Sequence, residues 1–240
     1  MPPRPPTFLI TAGPTVEDID PVRFISNRAT GKLGFLTAQA ALAGGHRVIL
    51  IHGPVPEEVE RSLPARTAGL MKVAVRSADE MHRRVQRYLQ DAQVVVMSAA
   101  VADFTVEAPS NAKLKKREAG LNLRLKPTHD ILAELGEQKR TQRKDLVLIG
   151  FALETGRGST EQARAAERLR EAYRKLTTKN LDALVLDTPA AMGADAAEFR
   201  ILRAARDEGN QQRLTKRLLA RRLIKLGREL WLERQHPASH

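Results

Sequence analysis

The chain has 240 residues, with 40 Lys plus Arg against 28 Asp plus Glu and a formal charge of +12, a length sufficient for one α/β domain whose core needs no covalent staple. It contains no cysteine, which excludes a disulfide framework, a thiol nucleophile, an iron–sulfur cluster and a cysteine-based zinc site. Aromatics at 4% are too sparse for a base-stacking nucleic-acid surface, and no apolar run reaches the roughly 18 residues of a membrane helix. Residues 1–6 (MPPRPP) have no apolar stretch of the signal-peptide kind, so a soluble cytoplasmic protein is expected.

In chain order, residues 7–11 (TFLIT) read as a short strand that ends in a turn at Ala12-Gly13-Pro14. A long loop is expected over 15–30. Gly31-Lys32-Leu33-Gly34 then opens a helix whose apolar residues Leu33, Leu36, Ala40 and Ala41 recur at helical spacing, until Gly44-Gly45 stops it. Residues 48–51 (VILI) and 71–75 (MKVAV) read as strands. Ser77 with Glu80 is a capping box for a helix to about Leu89, and 93–97 (QVVVM) is a continuous β-branched run. Strands apolar on both faces and separated by helices point to a parallel sheet with crossover helices.

The middle is different. Residues 108–120 are polar and basic, and 121–125 (LNLRL) alternate as a half-exposed strand does. Thr128 is placed to cap a helix from Asp130 to about Gly136. Further on, 146–152 (LVLIGFA) is a buried strand, 159–176 a charged helix, 183–186 a short strand and 199–202 a final strand. From about 211 to 233, leucines spaced by three and four lie among arginines and lysines. That pattern is an amphipathic helix with a basic face in solvent. No linker divides the chain, so one domain over 1–240 is expected.

In open parallel sheets, ligands bind where strands end and helices begin. Three loops qualify. Gly31 and Gly34 beside Lys32 suit either an anion at a helix start or a tight helix–strand turn. Ser98 to Asp103 is a run of small residues ending in a carboxylate, suited to close approach of a flat ligand or to simple packing. Thr128-His129-Asp130-Ile131 opens a helix whose amides can hold phosphate. Lys113, Lys115 and Lys116 form a basic loop cluster. Phe151 ends a buried strand, and Lys175 and Lys179 are one helical turn apart near a helix end. Neither a P-loop nor the dinucleotide glycine fingerprint occurs, and no His/Glu group has metal-site spacing.

Taken together, these segments resemble one family. Ile10-Thr11-Ala12-Gly13-Pro14-Thr15, Asp20-Pro21-Val22-Arg23-Phe24-Ile25-Ser26-Asn27-Arg28, Ala99-Ala100-Val101-Ala102-Asp103-Phe104, Lys113-Leu114-Lys115-Lys116, Asp130-Ile131-Leu132, Gly150-Phe151-Ala152-Leu153-Glu154-Thr155 and Lys179-Asn180-Leu181-Asp182 closely resemble, in order and spacing, phosphopantothenate–cysteine ligases of coenzyme A biosynthesis. The likeness covers about residues 7–187.

The resemblance implies a Rossmann-like α/β fold: a mostly parallel sheet with flanking helices and a dimerisation arm or flap. It implies a two-step ligation through an acyl-cytidylate, with CTP and Mg²⁺ in bacterial members and commonly ATP in eukaryotic ones. Asn27 would hydrogen-bond the acyl carbonyl, and Lys113 would reach the triphosphate from a flap. Ala99, Asp103, His129, Asp130, Ile131, Leu132, Phe151, Lys175 and Lys179 would bind the nucleotide. Gly13, Asn27, Arg28, Gly31 and Lys32 would line the phosphopantothenate side. A homodimer is implied. No flavin is expected in this chain, and the decarboxylation step of the pathway is expected from a separate protein.

Two departures stand out. His129 occupies a position where many members carry proline, and Asp187-Thr188-Pro189 replaces a common Ala-Asn-Asp. The rival readings are a Rossmann-type NAD(P)-dependent oxidoreductase and a basic nucleic-acid-binding protein. The first lacks its glycine fingerprint, and the second rests on charge alone.

Overall fold

The computed structural model describes residues 4–116, 120–203 and 211–235. Its centre is an eight-stranded sheet. In chain order the elements are β1 (Phe8–Ala12), β2 (Val16–Asp18), β3 (Phe24–Ser26), α1 (Lys32–Ala43), β4 (Val48–His52), α2 (Glu57–Arg61), β5 (Leu70–Ala74), α3 (Ala78–Tyr88), β6 (Val94–Met97), β7 (Phe104–Val106), β8 (Leu125–Pro127), α4 (Ile131–Thr141), β9 (Val147–Leu153), α5 (Glu161–Thr178), β10 (Ala183–Asp187), β11 (Ala196–Arg203), β12 (Gln212–Thr215) and α6 (Lys216–Gln235).

The sheet order is β12-β11-β10-β9-β6-β1-β4-β5. The strands from β10 to β5 are mutually parallel, as their two-sided burial and the helical crossovers require. From β10 the chain reaches β11 without a long helix, so β11 and then β12 pair antiparallel at that edge. The architecture is the expected Rossmann-like one.

Alternate residues of β1 serve opposite faces. Phe8 and Ile10 join Phe35 of α1 and Leu223, Leu230 and Trp231 of α6 in one core. Leu9 joins Met81 and Val85 of α3, Leu135 of α4 and Leu176 of α5 in the other. The apolar stripe of the basic C-terminal helix is thus a packing face, as its periodicity predicts. Gly227 permits this docking: a Cβ there would lie 2.9 Å from Val94 Cγ1 and 3.0 Å from Phe8 Cε1. Among the described residues no helix is long and apolar enough to cross a membrane.

Several local expectations change. The 15–30 loop contains the small hairpin of β2 and β3. Residues 121–124 are not strand; pairing begins at Leu125, where β8 meets β7 antiparallel. The cap of α4 is Asp130, whose Oδ1 accepts from the Ala133 amide at 3.0 Å, while the Thr128 hydroxyl instead donates to the Ala102 carbonyl at 2.6 Å. The expected final strand extends to Ala196–Arg203, and β12 follows it. Ser77 caps α3 as read, accepting from the Glu80 amide.

Candidate active site

The chain goes from β1 to β4 and β5 on one side, then returns to β6 on the other. The loops leaving β1 and β6 therefore diverge and leave a crevice at the carboxyl ends of the strands. They are laced together at its floor. The Ala100 amide donates to the Gly13 carbonyl at 2.9 Å, the Ala102 amide to Thr15 Oγ1 at 2.9 Å, and the Ser98 hydroxyl to the Thr11 carbonyl at 2.6 Å. Above them lies a cleft of about 470 Å³.

The first wall is the entrance to α1. Gly13 (φ +76°) and Gly31 (φ +75°) are both left-handed, and a Cβ on Gly31 would meet Val55 Cγ1 at 2.5 Å. Glycine is required there by conformation and by space. Gly34 lets α1 approach β1, since its Cβ would lie 2.4 Å from that of Ala12. Gly34 thus serves the tight helix–strand packing, while Gly13 and Gly31 line the cleft with Lys32. Asn27 reaches across from the end of the hairpin. Its Nδ2 donates to the carbonyls of Ala100 at 3.0 Å and Val101 at 3.2 Å, which ties the carboxamide to the β6 loop.

The opposite wall is built by α4 and α5. Ala99, Asp103, His129, Asp130, Ile131, Leu132, Phe151, Lys175 and Lys179 all line the cleft. Lys179 Nζ stands 2.7 Å from Asp130 Oδ2, and Lys175 Nζ stands 2.6 Å from Glu154 Oε1. Burial by itself raises the Asp130 pKa; the Lys179 hydrogen bond and the Ala133 amide outweigh it and hold the carboxyl below its ordinary range.

Two residues of the expected set are elsewhere. Arg28 and Lys113 are exposed and do not line the cleft. The cause for Lys113 is its neighbour. Asp20 Oδ2 accepts from the Leu114 amide at 3.1 Å, and Arg23 Nη2 donates to the Leu114 carbonyl at 2.7 Å. The Asp20–Arg23 turn thus holds this part of the basic loop against the hairpin. Asp20 is kept well below the usual carboxylate range by Arg23 first, against an opposing effect of burial, with the amides of Leu114, Val22 and Arg23 adding to it.

The cleft also contains residues that sequence reasoning did not assign. Asp187, at the end of β10, has a buried Oδ1 with no hydrogen-bond partner. Burial pushes its pKa up to about 7, with Lys216 opposing the rise. Lys216, the first residue of α6, is only 7% exposed, and burial together with nearby Lys32 pushes its pKa down. Lys32 itself is ion-paired with Asp195. A lysine in the first turn of a helix opposes the helix dipole, and that mismatch was the available signal for Lys216.

Fold and site together define a Rossmann-like α/β protein with a ligand cleft at its topological switch point. Within that class, residues 5–230 match the DNA/pantothenate metabolism flavoprotein C-terminal domain, and the chain belongs to that family. It is 40% identical over 207 residues to the coenzyme A biosynthesis bifunctional protein CoaBC of Bacillus subtilis (strain 168), covering 86% of this chain and 46% of that protein. The chain thus spans about half the length of the curated relatives it matches. It is similar to the crystal structure of the C-terminal domain of a CoaBC protein, with 30% identity, a TM-score of 0.71 and coverage of 95% and 96% of the two chains. It shares its fold with the Cab2 mutant H337A in complex with phosphopantothenate-cysteine, at 16% identity and a TM-score of 0.74, over 96% of this chain and 88% of that one.

Proposed function

We propose that this chain joins 4′-phosphopantothenate to L-cysteine through an acyl-cytidylate. In the first step the pantothenate carboxylate attacks the α-phosphorus of CTP and pyrophosphate leaves. In the second, the cysteine amine attacks the acyl carbon, CMP leaves, and the amine gives up its proton. The observation that carries this reading is the convergence on one cleft of the Asn27 carboxamide, the α4 N-terminus and the Lys175–Lys179 wall. The named activity of the CoaBC relatives supports the same pathway.

The two substrates are polyanions, so they repel. Lys175 and Lys179 offset that repulsion by exchanging their carboxylate partners for phosphate oxygens, and the amides at the start of α4 add donors. Phe151 and Ala99 offer apolar surface to the nucleotide. Gly13, Gly31 and Lys32 receive phosphopantothenate, and Asn27 turns an Nδ2 hydrogen from the Ala100 and Val101 carbonyls to donate to the acyl carbonyl as an uncharged amide. Holding carboxylate and α-phosphate in line supplies much of the rate. Asp103 is an exposed cleft carboxylate without a lysine partner among the described residues, suited to a Mg²⁺ ion that enters with the triphosphate, and that ion would neutralise phosphate charge. Lys113 and Arg28 act in this reading from a closed flap or from the second protomer of a homodimer.

The test is pyrophosphate release measured with CTP, Mg²⁺ and 4′-phosphopantothenate, each omitted in turn, and with ATP beside CTP. Release is expected only when all three are present, and Asn27→Asp is expected to release pyrophosphate while acyl-cytidylate accumulates. Release that does not require phosphopantothenate overturns the reading.

A further inference from the structure

A second group of side chains lies at the outer rim of the cleft, where α3 passes the start of α4. Asp79 and His82 are three residues apart on α3, so they share one face of that helix. His129 stands two residues before the start of α4, and Glu134 lies in its first turn. One donor atom from each of Asp79, His82 and His129 falls within 4.8 Å of the others. The two imidazoles stack with centroids 4.3 Å apart and planes 14° from parallel. Glu134 bridges them, its Oε2 lying 2.7 Å from His82 Nε2 and its Oε1 3.2 Å from His129 Nδ1.

From this geometry we propose that Asp79, His82 and His129 bind a late first-row divalent metal ion, with Zn²⁺ as its representative. Two imidazoles and a carboxylate suit zinc and its neighbours better than Mg²⁺ or Ca²⁺, which favour all-oxygen sets. Glu134 is the positioning residue. It holds one nitrogen of each ring by a hydrogen bond and leaves the other free, and binding turns the rings out of their stack so that both free nitrogens face the ion, since an imidazole lone pair lies in its ring plane. Releasing Asp79 for this task costs little, because its partner Arg83, 3.1 Å away, forms an exposed pair with it on the same helix. The ion would tie α3 to His129, which also lines the cleft, so it would stiffen the rim beside the α4 N-terminus. The site is distinct from a Mg²⁺ ion carried by a nucleotide, and it does not depend on the ligase reading.

The test is calorimetric titration of the whole chain with ZnCl₂ in excess Mg²⁺, followed by Co²⁺ substitution and visible absorption. One saturable ion per chain is expected, with a Co²⁺ d–d band of low-coordinate nitrogen and oxygen ligation. His82→Ala and His129→Ala should each weaken binding by at least about tenfold, and Glu134→Gln should also weaken it by about tenfold. His129 is exposed, so its variant should keep its circular dichroism and melting temperature. The sequence also has His236 and His240, so His236→Ala/His240→Ala serves as the control and should bind zinc normally. Loss of binding in that control, unchanged binding in His129→Ala, or no saturable binding overturns the proposal.

Discussion

The two ends of the cleft handle charge in opposite ways. At the α4–α5 end each lysine has a carboxylate within ion-pair distance: Lys179 with Asp130 and Lys175 with Glu154. At the β10–α6 end, Asp187 has an orphaned buried oxygen, and among the described residues no carboxylate lies within ion-pair distance of the Lys216 ammonium. The first end is neutral at rest and can trade its carboxylates for an anionic ligand. The second stores a desolvation cost in the empty protein.

The largest expected effect breaks the second end. A carboxyl that titrates near pH 7 in the folded chain, but at 3.8 when unperturbed, keeps its proton in the native state after the unfolded state has lost its own. Asp187 therefore lowers stability as pH rises from about 4 to about 7, by at most about 4 kcal/mol. Asp187→Asn should raise the unfolding free energy by about 2–4 kcal/mol at pH 8 and change it little at pH 3, as urea titrations at the two pH values would measure. Equal effects at both would show that the carboxyl is not held neutral.

The next effect tests the first end. On the proposed ligase reading, Lys179→Ala should lower kcat/KM for the nucleotide about 100-fold, because it would remove a cation for the phosphates and leave Asp130 facing the ligand. Steady-state kinetics with Asp130→Asn as a companion separates the two causes, since the companion retains the cation. The smallest effect sharpens the contrast. Glu154→Gln should cost about 1 kcal/mol of stability or less while tightening nucleotide binding, because Lys175 no longer has to leave an internal partner. Calorimetric binding beside thermal unfolding would reveal that opposed pair of changes; weaker nucleotide binding would contradict it.

Much of the architecture was legible in local pattern. The runs VILI and QVVVM become buried parallel strands, and Ser77 caps its helix as its spacing with Glu80 indicates. The three-residue strands β2, β3, β7 and β8 were missed or misplaced, since so few residues carry no usable period. Thr128 was the wrong cap because its hydroxyl had a tertiary acceptor in Ala102, leaving the task to Asp130. Within the site, Asn27, Asp103, Lys175 and Lys179 were all legible as cleft residues through the family resemblance. Lys216 was not, because in sequence it is one cation among many on a basic helix.

By itself the sequence determined the parallel strands, the crossover helices and the glycines that a tight α1 entrance demands, because hydrophobic period and backbone stereochemistry act over a few residues. Only the tertiary structure decided that α6 returns to bring Lys216 beside Asp187, that the Asp20–Arg23 turn holds Leu114 and so keeps Lys113 outside the cleft, and that His82 meets His129. Those contacts join residues dozens of positions apart, and their partners are selected by how the sheet buries its two faces, which no local pattern encodes.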